Sequence, residues 1–411
     1  MPSNYQERLE AICRTENAYY SNSIDLIAPS SFLRQELVNL PEIIIHRSME
    51  GLLEKRPYAG TKYINEIENL GVEVAKEVFG AEHVNLQPHS GSQANQAAFA
   101  AFLNPRDKVL SMKFDAGGHL THGNPVNFSG RFYRFEFYGV DNETQQIDYD
   151  LIQERAKEIL PKMIVVGATS YPKIIDYERM RTIANENGAY LMADISHPIG
   201  LIAANEYPSP IGIADVVTGC TGKTLLGPHG GIIMGKDIYK KEIDKAVHPG
   251  VQSSVPIDRI VQVCKSIIYT QTGEYKQTMR QIKRNAKELE EVFEKIPNCL
   301  LFGGTDCHFI VINVADGFGV TGKTAEKLLE DLGIFTNRQV IPNDKNSVYI
   351  TSGLRIGTVS PTQRGLKENN FREIGDIIVE SLKNHDSLEI QSKLKYKVSE
   401  IIKKMKPVDN C

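Results

Sequence analysis

Residues 215–231 read DVVTGCTGKTLLGPHGG, a β-branched run that gives way to small and hydroxylated residues, a lysine and a glycine-rich turn. A short β-branched run before such a turn is the pattern of a buried strand leading into a loop. Lys223 then lies just past the strand's carboxyl end, with Thr221, Gly222 and Thr224 around it. A lysine becomes nucleophilic toward carbonyls when burial or a nearby cation lowers its pKa. Alone the feature is weak, because most lysines that follow a glycine are solvated.

The surrounding chain repeats the same alternation. KVLSM (108–112), KMIVVGA (162–168), AYLMADI (189–195), DVVTG (215–219) and GGIIMG (230–235) are separated by helical patterns such as DLIQERAKEIL (150–160) and YERMRTIANENG (177–188). Strands alternating with helices predict an α/β fold with a mostly parallel sheet covered on both faces. Ligands of such sheets sit beyond the carboxyl ends of the strands. Residues 1–50 read as an N-terminal arm, with a helical pattern running on through RQELVNLPEIIIHRSME, and residues 51–275 as the large domain. Residues 276–411 read as a smaller α+β C-terminal domain.

The totals bound what such a chain does. Its 411 residues suffice for two to three domains of about 100–200 residues each. The six cysteines are scattered with no CxxC pair and no zinc spacing, so free thiols, a reducing compartment and no metal are expected. A polar N-terminus and the lack of any long apolar run predict a cytoplasmic protein without membrane association. A net charge of −4 gives no general attraction for nucleic acid.

Two further segments carry chemistry. In QPHSGSQAN (87–95), Ser90, Gly91 and Ser92 open a helix, where free amides, hydroxyls and the helix dipole converge on one point. A helix cap is the ordinary reading of such a serine. In ADISHPIGL (193–201), Asp194 ends an apolar run and must find a cation or strong donors, because an isolated buried charge is prohibitive. A different class is suggested by GFGVTGKT (317–324), which fits the P-loop pattern and would make the chain a nucleotide-binding protein. It explains one segment, and Thr321 serves equally well as a helix cap.

The order of the segments, an anion-binding helix start, a strand-end aspartate and a lysine after the next strand, resembles the arrangement of fold-type I pyridoxal phosphate enzymes of the aspartate aminotransferase-like class. QPHSGSQAN, GGHLTHG (117–123), PVNFSG (125–130), KTLLGPHGG (223–231) and TSGLRIGT (351–358) together resemble the serine hydroxymethyltransferase family. The match runs in order from about Ile24 to the end of the small domain.

The resemblance implies a pyridoxal 5'-phosphate-dependent transferase or aldolase acting at Cα–Cβ of a β-hydroxy amino acid, with tetrahydrofolate as co-substrate. It implies that Lys223 binds the cofactor's aldehyde, that Asp194 meets the ring nitrogen and that His119 stacks on the ring. His197 and Thr169 would lie near the ring's phenolate edge, with His197 also close to substrate. Ser90, Gly91 and Ser92 would hold the phosphate, helped by Gln252, Ser253 and Ser254 of a second subunit. Arg355 would grip the substrate carboxylate, and Glu50 and Tyr58 would manage protons across a dimer interface. A homodimer with shared active sites is implied, with assembly into tetramers left open.

The chain also departs from the family pattern. Pro29 and Ser30 replace an expected serine and glutamate, and Ser48 and Pro57 stand where tyrosines are usual. Gly222 replaces a histidine, His229 an arginine, Gln339 an asparagine, Phe114 a leucine, and Ser253 and Ser254 paired glycines. Glu50, Tyr58, Leu120 and Tyr349 remain. Ser253 and Ser254, at the phosphate, can still donate through backbone and hydroxyl, whereas the other changes fall in the substrate and folate shell, so a threonine aldolase or a transaldolase with an aldehyde acceptor is the alternative reading.

Overall fold

The computed structural model describes residues 2–40 and 48–407. It divides into two units: residues 1–32, 281–339 and 345–411 form one, and residues 33–280 and 340–344 the other.

The first unit begins with the helix Pro2–Ser21 and the short strand β1 (Ile24–Asp25). The sequence reading set residues 1–50 apart as an arm, but the first 32 belong with the C-terminal part of the chain. The cause is long-range pairing that local pattern does not reveal. Strand β1 runs parallel to a strand more than three hundred residues later, with Ile24 opposite Ile334. Buried Arg364 also donates to the carbonyls of Ser21 and Ser23 at 3.0 Å each.

The second unit opens with the helix Gln35–Val38 and then β2 (Ser48–Glu50). The helical pattern expected to run through residue 50 is therefore replaced at its end by a strand, and residues 41–47 lie outside the described residues. The helix Lys62–Phe79 stops as its pattern predicts, on Gly80 in the left-handed region at φ 69°.

The main sheet contains β3 (His83–Asn85), β4 (Lys108–Met112), β5 (Arg134–Tyr138), β6 (Met163–Val166), β7 (Tyr190–Asp194), β8 (Val216–Cys220) and β9 (Gly231–Gly235). Their order is β3-β9-β8-β7-β6-β4-β5. Strands β5, β4, β6, β7 and β8 run parallel to one another, while β9 is antiparallel to both β8 and β3. Completely buried Met163, Ile164, Leu191, Met192 and Val216 explain the near-continuous apolar runs of the central strands. The strand β10 (Ser254–Pro256) pairs antiparallel with β2, setting Glu50 opposite Ser254.

In the first unit, β11 (Phe309–Asn313), β12 (Ile334–Phe335), β13 (Asn337–Gln339) and β14 (Gly353–Gly357) complete the strands. Strand β12 is the partner of β1, and β11-β14-β13 form an antiparallel sheet. A core including Leu289, Phe293, Ile310, Ile356, Phe371, Ile378 and Leu394 joins that sheet to the helices Glu368–Lys383 and Leu388–Lys403.

Candidate active site

Four neighbouring parallel strands, β8, β7, β6 and β4, end on the same side of the sheet. Their carboxyl ends lead to Lys223, to Asp194 and His197, to Thr169, and to His119. Strand β3 is antiparallel to the reversed β9 and so points the same way, feeding Ser90 at the start of the helix Gly91–Phe102.

Lys223 is half-buried in a loop that Thr221 closes. The Thr221 amide donates to Gly230 O at 3.0 Å and its hydroxyl to Pro228 O at 2.6 Å. The neighbouring Thr224 hydroxyl donates to His197 O at 2.7 Å, fastening this loop to the one after β7. Gly91 lies where a Cβ would come within 3.1 Å of Cys220 Cβ and Ser196 Oγ, so the helix start is held close against the ends of β7 and β8.

Asp194 is the electrostatic centre. Its Oδ2 is shared by His122 Nε2 at 3.1 Å and Asn95 Nδ2 at 2.8 Å, and its Oδ1 accepts from the Ser196 amide at 2.9 Å. Burial would push its pKa up, but the hydrogen bond and charge of His122, with the charge of His119, outweigh burial and hold the carboxyl well below the usual range. Asn95 Oδ1 accepts from the buried Thr218 hydroxyl at 2.5 Å, and Asn95 Nδ2 also donates to Thr121 Oγ1 at 2.8 Å. Thr121 Oγ1 lies 2.7 Å from His119 Nδ1, so the acid and the ring of His119 belong to one network.

His122, Asn95 and Thr218 were not singled out in the sequence. The signal for His122 was present in GGHLTHG, whose second histidine stands three residues after the first. His119, His122 and Asp194 offer ligand atoms within 4.8 Å of one another, a spacing that could suit a metal ion. The bonds already made to Asp194 Oδ2 instead describe a hydrogen-bonded carboxylate.

Ser90 caps its helix, accepting from the Gln93 amide at 3.2 Å. The amides of Gly91 and Ser92 belong to the first turn, where no intrahelical acceptor exists. A cavity of about 280 Å³ opens here, lined in part by Ser90, Ser92, Gln93, Thr121 and Asn127. Glu50 accepts from the Ser253 hydroxyl at 2.9 Å, and Tyr58 is exposed on the same segment. Gln252 and Ser254 contact their own chain: Gln252 Nε2 donates to Gln87 O at 3.0 Å and Ser254 O lies 2.8 Å from His89 Nε2.

Arg355 belongs to the other unit. It lies on β14 with Nε donating to Asn337 Oδ1 at 3.2 Å. Burial pushes its guanidinium down to about 10, which leaves it cationic at neutral pH. The P-loop reading fails in the same unit. Thr321 caps the helix Gly322–Leu332, and the Gly322 and Lys323 amides, which a phosphate would need, donate to Thr351 O and Ile350 O at 2.9 Å each.

These donors suit pyridoxal phosphate. A buried, ionised carboxylate answers a protonated ring nitrogen, a helix start with hydroxyls answers a phosphate, and a lysine at a neighbouring strand end answers an aldehyde. The comparisons agree with that chemistry. A family model described as serine hydroxymethyltransferase matches residues 3–378. A serine hydroxymethyltransferase of Mycoplasma capricolum is 44% identical over 92% of this chain and 91% of its own. Those of Mycoplasma mycoides and Mesoplasma florum are 45% and 43% identical, over 88% and 90% of this chain and the same shares of their own. With a family model over residues 3–378 and a relative 44% identical over about nine-tenths of both chains, the chain belongs to the serine hydroxymethyltransferase family.

Proposed function

We propose that the protein interconverts serine and glycine by pyridoxal phosphate-dependent hydroxymethyl transfer, with tetrahydrofolate as co-substrate. The observation that carries this reading is the delivery of His119, Thr169, Asp194 and Lys223 by four adjacent strand ends, opposite a capped helix start. Bound pyridoxal phosphate supplies an electron sink for the pair released when a bond at the substrate Cα breaks. Lys223 would hold the cofactor covalently, Asp194 would face its ring nitrogen and His119 its ring. Ser90, Gly91 and Ser92 would hold its phosphate.

The chain's own groups do the remaining work. Asp194, kept ionised by its hydrogen bonds, favours a proton on the group facing it. Arg355, cationic at neutral pH, fits a substrate carboxylate through its planar fork of donors. Glu50, accepting from Ser253, is the carboxylate assigned to take the proton from the substrate's β-hydroxyl. Neither the aldolase nor the transaldolase alternative is favoured by relatives bearing the hydroxymethyltransferase name. The working unit is proposed to be a homodimer in the cytoplasm; the exposed apolar residues Tyr5, Leu9 and Ile12 of the helix Pro2–Ser21 support the pairing.

The test is the visible spectrum and turnover of the purified protein. Serine cleavage is expected to accelerate with tetrahydrofolate, and glycine to raise a long-wavelength band that grows with it. Lys223→Ala should lose activity on the order of a thousandfold or more and carry no borohydride-reducible link to the cofactor. Serine cleavage indifferent to tetrahydrofolate would remove the folate part of the proposal. A reducible link surviving in the variant would remove the assignment of Lys223.

A further inference from the structure

The segment that carries Glu50 and Tyr58 rests on a buried polar node outside the cofactor-facing residues. Arg56, whose side chain is 0% exposed, pairs with Glu68, 3% exposed, on the helix Lys62–Phe79, and also donates to Asn65. Glu68 Oε1 accepts from Gln87 Nε2 at 2.8 Å, and the same Gln87 nitrogen donates to Gly51 O at 3.3 Å. Gly51 follows Glu50 directly and has φ +94°, where a Cβ would come within 3.1 Å of Arg56 Cα. The turn is thus folded tightly over the residue that anchors it.

Gln87 also ties in two other segments. It stands three residues before Ser90, and its carbonyl accepts from Gln252 Nε2 at 3.0 Å. Gln252 precedes Ser253, whose hydroxyl donates to Glu50 Oε1 at 2.9 Å. One buried residue, through its side-chain amide and its backbone carbonyl, therefore links the Glu50 turn, the approach to the anion-binding helix start and the segment that hydrogen-bonds Glu50. A buried pair of charges is weak evidence for stability but can fix one geometry over others.

We propose that Gln87, held by the Glu68–Arg56 pair, is a positioning residue that fixes the turn carrying Glu50 and so the placement of its carboxylate for proton transfer. This deepens the function proposed above and rests on its reading of Glu50 as the proton-handling group. Gln87→Leu keeps the side chain's bulk, leaves Glu68–Arg56 intact and removes both amide hydrogen bonds. In the holoenzyme it should lower kcat for serine about tenfold or more, as displacement of a catalytic group does, with KM within about twofold. Hydrogen–deuterium exchange of residues 48–60 should rise while that of the helix Gly91–Phe102 stays at the parent level. Because the effect passes through Glu50, Gln87→Leu should cost nothing further in a Glu50→Gln background.

Unchanged kcat and unchanged exchange in Gln87→Leu would overturn the proposal. So would losses that multiply in the double variant. The reading of Glu50 fails separately if Glu50→Gln is as active as the parent, while the exchange measurement still reports whether Gln87 holds the turn.

Discussion

At the scale of single residues, local pattern singled out the lysine and the strand-end acid and the family resemblance singled out the first histidine of GGHLTHG, and all three follow the carboxyl ends of parallel strands. The partners that set the acid's charge were not. Asn95 and Thr218 look like ordinary polar residues within a helix and a strand, and only the fold brings them together, 123 positions apart. Because His122 holds Asp194 below the usual carboxylate range against the effect of burial, the stability that this charge contributes has a definite pH window. It is fully present above the unfolded carboxylate pKa of about 3.9 and is lost only as pH falls through the lower folded value. Asp194→Asn should therefore cost about 3 kcal/mol, a difference that stays level from about pH 5 to about pH 8 and closes only in stronger acid. Thermal melting of parent and variant across that range checks it. A gap that closes between about pH 6 and pH 7 would overturn the assignment of this stability to the Asp194 carboxylate.

At the scale of elements, strands and helices with a strong local pattern were legible, and those made by distant pairing were not. The main-sheet strands β4, β6, β7, β8 and β9 carry their own apolar runs. Strand β5, RFEFY, sits at the sheet edge with alternating charge and escaped notice. Strand β2 was read as helix because its pairing partner, β10, lies some two hundred residues away. Packing between elements makes a prediction that helix propensity alone would reverse. Gly71 lies inside the helix Lys62–Phe79, where alanine would ordinarily be favoured by about 1 kcal/mol. A Cβ there would fall 2.1 Å from Cys264 Sγ and 2.9 Å from Leu86 Cδ1. Gly71→Ala should thus destabilise by about 2 kcal/mol, and adding Cys264→Ala should recover a large part of it. Urea unfolding of the single and double variants decides the matter: a neutral or stabilising single change would mean that this helix parts easily from the helix Ile257–Thr270, which carries Cys264.

At the scale of the whole molecule, the feature left unexplained by one chain is what its first helix exposes. Tyr5, Leu9 and Ile12 are 79%, 61% and 57% exposed, spaced four and three residues apart, so they form one stripe on Pro2–Ser21. Isolated apolar residues at a surface need no explanation, but a stripe over two turns of one helix face marks a surface that another can cover. A second copy of the chain is the occupant proposed, since the functional reading already requires shared sites. Light scattering on the eluting protein should then give twice the 45.9 kDa of one chain, unchanged on dilution through the micromolar range. Leu9→Glu with Ile12→Glu should raise exchange or protease access along the helix only slightly if the stripe is already in water, and strongly if burial against a partner had protected it. A parent that elutes as a single chain at every concentration would leave the stripe without this occupant. The proton-handling roles given to Glu50 and Tyr58 would then have to be met within one protomer.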